Sequence, residues 1–285
     1  MHGAQKNFII QYNGREGSSA IVSALSAQKG INVPLFEELD PHTFEKSRSR
    51  KDYPQALDDV FSTGTYSGQK SKSRKLRSLD ADEEALTTGF KWRPKGNIRE
   101  VAKILRKHNV NIFLLLRRDF LNMTCSSYVH RYGNILQSEL DLPSHPQFFE
   151  LKDDAENAER ARLINQQEFR LVKALFLKSA HGISAARNRQ IGKARLFARA
   201  GIPIRLVYYE DFDGNPKEFI TSFVSKLDID ISKTYVPFCG FKKVHTTPIH
   251  KRIRGLENIE KSRLFNYFKR SYEDAVTEID KFSVQ

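Results

Sequence analysis

Short apolar segments alternate with amphipathic ones along this chain, the order expected of strands and helices that follow each other in turn. Residues 112–116 read Ile-Phe-Leu-Leu-Leu, which is typical of a strand buried on both faces of a sheet. The apolar segments predict strands at 5–12, 88–92, 111–116 and 204–208. The periodic segments predict helices at 18–28, 98–107, 119–132, 155–178, 184–200, 216–227 and 259–282. This alternation indicates an α/β fold with a largely parallel central sheet flanked by helices.

The length of 285 residues suits one large domain, and the chain is expected to fold as a single domain over 1–285. The stretch 44–86 is polar, basic and weakly periodic. It is therefore predicted as an insertion with at most one short helix, and as the lid that faces an acceptor. Ligands of parallel sheets bind at the carboxyl ends of the strands, so the residues after each strand are the candidates for chemistry.

A glycine-containing turn follows the first predicted strand, where residues 13–19 read Asn-Gly-Arg-Glu-Gly-Ser-Ser before a helix. Two glycines allow the backbone to turn tightly, and the start of a helix presents N–H groups and a positive dipole end to an anion. Arg15 adds a cation, and Ser18 and Ser19 add hydroxyl donors. A plain strand–helix connection has the same outward appearance, so the turn alone leaves both interpretations open.

A second candidate anion site follows the strand predicted at 111–116. Arg117 and Arg118 come directly after that strand, and Ser126 stands eight residues beyond Arg118. Eight residues make about 2.2 turns of helix, which brings the two side chains to nearly the same face. An arginine and a serine placed in this way can hold one phosphate.

At these two sites the sequence resembles the family of sulfotransferases that use 3′-phosphoadenosine-5′-phosphosulfate (PAPS). In that family an Arg at a strand end and a Ser eight residues on grip the 3′-phosphate, so the resemblance assigns this role to Arg118 and Ser126. The run Leu-Leu-Arg-Arg-Asp at 115–119 looks most like the bacterial carbohydrate sulfotransferase branch. The resemblance implies a P-loop-like sulfotransferase fold, with PAPS as donor and PAP, the 3′,5′-bisphosphate, as product.

The turn at 13–19 is similar to the loop that cradles the 5′-phosphosulfate in this family. The resemblance therefore implies cofactor contacts for five consecutive residues, Arg15, Glu16, Gly17, Ser18 and Ser19. Glu16 replaces a small residue of the family, and its carboxylate is compatible with a bound dianion only where it points away from it. Two further segments agree in order: Gly-Phe-Lys at 89–91, and Tyr-Glu-Asp-Phe at 209–212 with Asn-Pro at 215–216.

A late basic segment, 242–260, resembles the family loop that closes over the nucleotide. We expect this loop to span about 240–256. The cofactor contacts that it implies are Lys242, Lys243, Thr246, Thr247 and Arg252.

The catalytic groups implied are a cation and a general base. Arg15 and Lys91, at the end of a strand, are candidates to stabilise charge on the leaving oxygen, by analogy with phosphoryl transfer. The resembled branch often places a Glu soon after the first helix, which favours Glu38 over Glu37 as the base, with His42 in reserve. The acceptor is expected to be a hydroxyl or amine, with a carbohydrate or a small metabolite as the candidates.

The formal net charge of +13 favours anionic partners without choosing among them. A nucleotide kinase or NTPase is one alternative, but the signature G-x-x-x-x-G-K-[ST] is absent. A basic nucleic-acid-binding protein is another, although the sequence has no aromatic RNA-stacking, zinc-finger or helix-turn-helix signature. No metal, nucleic-acid partner or membrane span is expected. Two cysteines make no disulfide framework, which favours the cytoplasm.

Overall fold

The computed structural model describes most of the chain outside 35–52, 66–84 and 137–167. The described residues are 6–14, 16–34, 39, 53–65, 85–94, 97–136, 162, 166, 168–232, 234–237 and 248–284. The chain divides into two compact units. The first comprises Met1–Arg117, Gln190–Gly240 and Glu278–Gln285, and the second comprises Arg118–Arg189 and Phe241–Thr277.

The first unit contains a parallel sheet whose five described strands lie in the order β2-β3-β1-β4-β6. The strands are β1 (Asn7–Gln11), β2 (Ile31–Asn32), β3 (Thr87–Trp92), β4 (Val110–Leu116) and β6 (Ile204–Tyr208). Every residue of β1, β3 and β4 is buried, as expected for strands covered on both faces. The predicted α/β class, a parallel sheet flanked by helices, is confirmed.

The helices of the described residues follow the predicted order. They are α1 (Ser18–Ser26), α2 (Tyr53–Thr63), α3 (Ile98–Lys107), α4 (Phe120–Leu136), α5 (Lys173–Arg199), α6 (Tyr209–Gly214), α7 (Pro216–Ser225) and α8 (Arg263–Thr277). Short 3₁₀ turns lie at Ile249–Arg252, Leu256–Asn258 and Ile279–Lys281. Helix α2 is the short helix expected within 44–86. None of the helices in the described ranges is long and apolar enough to cross a membrane.

The prediction of two separate helices, at 155–178 and 184–200, is wrong where the structure describes it. Residues 169–170 form strand β5 (Phe169–Arg170), which pairs with β7 (Ile253–Arg254), and α5 then runs unbroken to Arg199. Small residues between the two predicted helices serve packing. Ser179 is fully buried, and a β-carbon at Gly182 would lie 3.3 Å from a guanidinium nitrogen of Arg131.

Both faces of the sheet are covered. On one face the rings of Phe113 and Phe223 stack with centroids 3.8 Å apart, and Phe8 meets Phe223 edge-on at 5.4 Å. These contacts bind α7 to β1 and β4. On the other face Phe61 of α2 packs against Phe90 of β3 at 5.4 Å. The sheet is therefore fixed by aromatic packing from both sides, and its carboxyl edge is a rigid platform.

The strand order creates a crevice at the carboxyl ends of β1 and β4. The chain leaves β1 toward β2 on one side of the sheet, and it leaves β4 toward β6 on the other. Neighbouring strands whose connections diverge in this way mark the topological switch point, where open parallel sheets bind ligands.

The second unit has its own core, built from α4, α8, the first part of α5 and the β5–β7 pair. Aromatic residues of these elements fill it: Phe120, Tyr128, Phe176, Phe265 and Tyr272. Arg187 is also fully buried there, with its guanidinium 4.3 Å from the centroid of the Tyr272 ring and a hydrogen bond to the Tyr272 hydroxyl. The ring offers this buried cation the negative face that partly replaces its lost hydration.

Helix α2 is tied to α3 by a carboxylate as well as by rings. Asp58 accepts hydrogen bonds from Lys107 at 2.9 Å and lies 2.6 Å from Nε2 of His108. His108 also stacks on Phe61 at 5.7 Å. The hydrogen bonds from Lys107 and His108 hold the pKa of Asp58 below its usual value, and they outweigh burial, which acts in the opposite direction.

Replacing Asp58 by asparagine is expected to lower the free energy of unfolding by about 1 kcal/mol at pH 7. Because the pKa of Asp58 is lower in the folded chain, its contribution is complete above about pH 4 and is lost as the pH falls through the folded-state value. Urea midpoints at pH 7 and at progressively lower pH measure this: the gap between wild type and variant should narrow as the pH falls. Asp59→Asn is the matched control, because Asp59 bonds to exposed Gln55; an equal effect of both variants would contradict the account.

Candidate anion-binding site

The turn after β1 is closed by the side chain of Glu16. The carboxylate is fully buried, and one of its oxygens accepts a hydrogen bond from the backbone N–H of Asn13 at 2.6 Å. The side chain amide of Asn13 in turn donates to Gln190 at 2.9 Å. Glu16, the residue at which this turn departs from the resembled family, is therefore directed back to the start of the turn and braces it.

Gly17 precedes the first helical residue in a left-handed conformation, with φ 74° and ψ 11°. A β-carbon at this position would lie 2.1 Å from two ring carbons of Tyr209. Two independent demands, backbone conformation and space, thus require glycine here. Within the described residues no side chain caps α1, so the helix start directs its first N–H groups, which have no intrahelical acceptors, to the turn.

Replacing Gly17 by alanine is expected to weaken anion binding at the turn and to lower the melting temperature. The left-handed conformation alone costs an alanine about 1–2 kcal/mol, and the ring of Tyr209 must also move. Gly14→Ala is the matched control, since no atom of the described residues beyond its chain neighbours lies within 4 Å of a β-carbon there. Calorimetric titration and thermal unfolding of both variants measure the difference, and similar losses in the two would contradict the role assigned to Gly17.

Lys91 reaches the start of α1 from the neighbouring strand β3. Its ammonium group donates to the hydroxyl of Ser19 at 2.7 Å, and the side chain is only 2% exposed. Its nitrogen also lies 5.1 Å from the centroid of the Tyr12 ring. Gly89, two residues earlier, leaves room for the ring of Phe8, because a β-carbon at position 89 would lie only 2.3 Å from a carbon of that ring. The Gly-Phe-Lys segment thus serves packing and also brings a buried cation to the turn.

The two serines of the turn differ in exposure. Ser18 is 5% exposed, whereas Ser19 is partly exposed and bonded to Lys91. Of the hydroxyls predicted to face an anion, that of Ser19 is therefore the more accessible.

Arg117 and Tyr209 lie at the same edge of the sheet, although neither was assigned a role from the sequence. The Arg117 guanidinium lies 5.1 Å from the Tyr209 ring centroid, and its Nε lies 3.8 Å from a carboxylate oxygen of Glu210. Burial raises the pKa of Tyr209, and Asp213 raises it further. The sequence held a signal for both residues in the Arg-Arg pair and the Tyr-Glu-Asp segment, but it did not indicate that they touch.

In the second unit, Arg118 and Ser126 stand at the N-terminal end of α4. Arg118 is exposed and lies two residues before the first helical residue, and Ser126 is partly exposed in the second turn. Asp119 caps the helix by accepting a hydrogen bond from the N–H of Asn122 at 2.9 Å. Asp119, Asn122 and Ser126 follow the i, i+3, i+7 spacing of one helix face.

The described end of the late loop packs against the same helix. His250 lies with Nδ1 2.9 Å from the side chain oxygen of Asn122, on the face that carries Ser126. Arg252 is 4% exposed, with its guanidinium 5.6 Å from the Phe169 ring, and burial lowers its pKa. Arg252 therefore lies in the core of the second unit.

Several predicted site residues lie outside the described residues, and their roles stay predictions. They are Arg15, Glu37, Glu38, His42, Lys242, Lys243, Thr246 and Thr247.

Trp92, which is fully buried, stacks on Tyr53 with centroids 5.7 Å apart. Over the described ranges there is no group of three or more His, Cys, Asp or Glu side chains arranged to hold a metal ion.

No protein-family model matches the chain. No curated protein matches it either. Two solved structures that it resembles are sulfotransferases. One is the sulfotransferase from Alicyclobacillus acidocaldarius, with a TM-score of 0.48 and 15% identity over 96% of this chain and 97% of that one. The other is mouse sulfotransferase SULT7A1 complexed with PAP, with a TM-score of 0.34 and 12% identity over 97% of this chain and 84% of that one. Both TM-scores lie below 0.5, so neither likeness decides the function of this chain.

Proposed function

We propose that this chain is a PAPS-dependent sulfotransferase that moves a sulfuryl group from PAPS to a hydroxyl or amine acceptor. The observation that carries the proposal is the buried Lys91, whose ammonium group bonds to Ser19 at the glycine turn of the central strand. The cation comes from β3, and the turn itself has no lysine before its serines. This separates the site from the G-x-x-x-x-G-K-[ST] loop of ATP- and GTP-hydrolysing enzymes.

In this proposal the turn and Lys91 bind the 5′-phosphosulfate. The acceptor atom attacks sulfur in line, a new bond to sulfur forms, and the bond between sulfur and the 5′-phosphate oxygen breaks. Negative charge grows on that leaving oxygen, and the Lys91 ammonium and the N–H groups at the start of α1 stabilise it. Arg15 is proposed as a second cation. Because Lys91 is held by Ser19, it needs little reorganisation as the charge develops.

The acceptor proton has to leave as the new bond forms. We assign it to a carboxylate, Glu38 in preference to Glu37, with His42 as the further candidate. Leu39, the residue after Glu38, accepts hydrogen bonds through its carbonyl from the Trp92 indole N–H at 3.1 Å and from the Tyr53 hydroxyl. These two bonds anchor Leu39 to Trp92 at the end of β3, and Trp92 directly follows Lys91.

For the 3′-phosphate we propose Arg118 and Ser126, aided by the late loop through Lys242, Lys243, Thr246 and Thr247. Arg118 is exposed and Ser126 is partly exposed, and a guanidinium and a hydroxyl are groups that suit a phosphate. Recognition of this group would distinguish PAPS from ATP. The excess of basic residues suits such a nucleotide, which carries several negative charges, and suits a carbohydrate acceptor that is itself acidic.

A direct test is to follow PAP release from PAPS in the presence of a panel of acceptors that includes neutral and acidic sugars, phenols and amines. Release that depends on an acceptor, with formation of a sulfated product of matching amount, is the expected result. Hydrolysis of ATP without consumption of PAPS would contradict the proposal and favour an NTPase.

A further inference from the structure

Gln190 of α5 lies at the switch point, where the connections that leave β1 and β4 diverge. Its side chain is 4% exposed. The amide nitrogen donates to the carbonyl of Leu115 at 3.1 Å and to that of Gln11 at 3.3 Å. Gln11 is the last residue of β1, and Leu115 is the last but one of β4. One buried amide thus bridges two neighbouring parallel strands at the switch point, where their own backbone pairing ends.

The same residue also holds the turn that follows β1. The side chain oxygen of Gln190 accepts a hydrogen bond from the side chain amide of Asn13 at 2.9 Å. The backbone carbonyl of Gln190 accepts one from the side chain amide of Gln11 at 3.0 Å. The backbone N–H of Asn13 is bonded to Glu16, one residue before Gly17. A continuous set of hydrogen bonds therefore runs from α5 through Gln190 and Asn13 to the start of α1.

We propose that Gln190 is a positioning residue of the anion site. It fixes where the turn leaves the sheet, and through Asn13 and Glu16 it sets the direction of the first N–H groups of α1. Fully bonded buried amides of this kind specify one arrangement, because any displacement leaves several polar groups unpaired. The identity of the anion, the phosphosulfate end of PAPS, rests on the proposed function; the positioning of the turn does not.

Gln28 offers a matched control for a purely structural role. It is 3% exposed in the same unit, and its amide nitrogen donates to the carbonyls of Ala24 and Val236, each at 2.9 Å. Its side chain oxygen accepts the N–H of Val236 at 2.9 Å. The two glutamines thus share burial and backbone bonding, but none of these bonds of Gln28 involves the turn.

Gln190→Met and Gln28→Met are compared by urea unfolding and by calorimetric titration with PAP. Both variants should be less stable, but only Gln190→Met should bind PAP about tenfold or more weakly. Asn13→Ala should reproduce the loss, and the double variant Asn13→Ala/Gln190→Met should lose less than the product of the single effects, because the two residues act through one contact. Equal affinity losses in the two glutamine variants, or independent effects of Asn13 and Gln190, would overturn the proposal.

Hydrogen exchange without ligand separates this inference from the proposed function. Backbone amides of residues 16–20 should exchange faster in Gln190→Met and in Asn13→Ala than in wild type. Their exchange rates in Gln28→Met should equal those of wild type. If wild type fails to bind PAP, the proposed function is wrong, and faster exchange confined to the Gln190 and Asn13 variants still supports positioning. Unaltered exchange at the turn in both variants overturns it, whatever the ligand.

Discussion

Replacement of Lys91 by methionine is expected to lower turnover by about 10²- to 10³-fold while changing nucleotide affinity much less. Methionine keeps most of the volume of the buried stem, so the loss is chiefly that of the charge next to Ser19. That charge is stabilising mainly when the leaving oxygen becomes negative, which is why kcat should fall more than binding. Steady-state rates of PAP release, together with the calorimetric affinity for PAP, measure the two effects separately.

Lys193→Met is the control for this variant. Lys193 is a second lysine of the same unit whose ammonium group is bound, in this case to the carbonyl of Pro94. Its replacement should leave turnover within a few-fold of wild type. A variant at Lys91 that retained normal kcat, or one that lost PAP binding and turnover to the same extent, would contradict a role in stabilising the leaving group.

Arg118→Ala is expected to weaken PAP binding by about 10- to 100-fold and to leave the affinity for 5′-AMP unchanged. Hydrogen bonds to charged groups contribute about 1.5–3 kcal/mol, which corresponds to this range. Because 5′-AMP lacks the 3′-phosphate, the comparison isolates the contact assigned to Arg118. Calorimetric titrations with the two nucleotides provide the measurement.

Two variants serve as comparisons for Arg118→Ala. Arg270→Ala removes another exposed arginine of the second unit. This variant should bind PAP with the affinity of wild type, apart from the small loss that follows from one positive charge fewer and that salt screens. Glu38→Ala should spare PAP binding and lower turnover, since the base acts on the acceptor. Equal losses of PAP binding in the Arg118 and Glu38 variants would contradict the roles proposed for both.

The regular elements could be predicted well because local signals agreed with tertiary packing. Helix α3 was predicted with its observed ends, and Asn97 caps it by accepting the N–H of Arg99 at 3.0 Å. Strand β6 was also predicted with its observed ends. In both cases the apolar periodicity and the flanking residues point to one structure. The continuity of α5 was missed, because the packing of Ser179 and Gly182 within it becomes visible only in the folded chain.

The candidate site could be predicted only in part. The glycine turn, Lys91 and the Arg118–Ser126 pair could be named as candidates, because each lies at or after the end of a recognisable strand and carries its chemistry in sequence. Gln190 could not, since its partners Gln11 and Asn13 lie nearly 180 residues earlier and a lone glutamine in a helix carries no signal. The brace formed by Glu16 was likewise hidden, because a carboxylate in a turn does not reveal which backbone group it binds.

The central claim, a site specific for a nucleotide with a 3′-phosphate, is tested most directly by thermal unfolding with PAP against 5′-AMP and ATP. At a hundredfold its Kd a ligand adds about 2.7 kcal/mol of stability, a shift of roughly 5–10 °C for a protein of this size. PAP should raise the melting temperature by this amount, and 5′-AMP and ATP at the same concentration should raise it little. A shift with ATP but none with PAP would contradict it and favour a kinase, and no shift with any of the three would leave the nucleotide site without support.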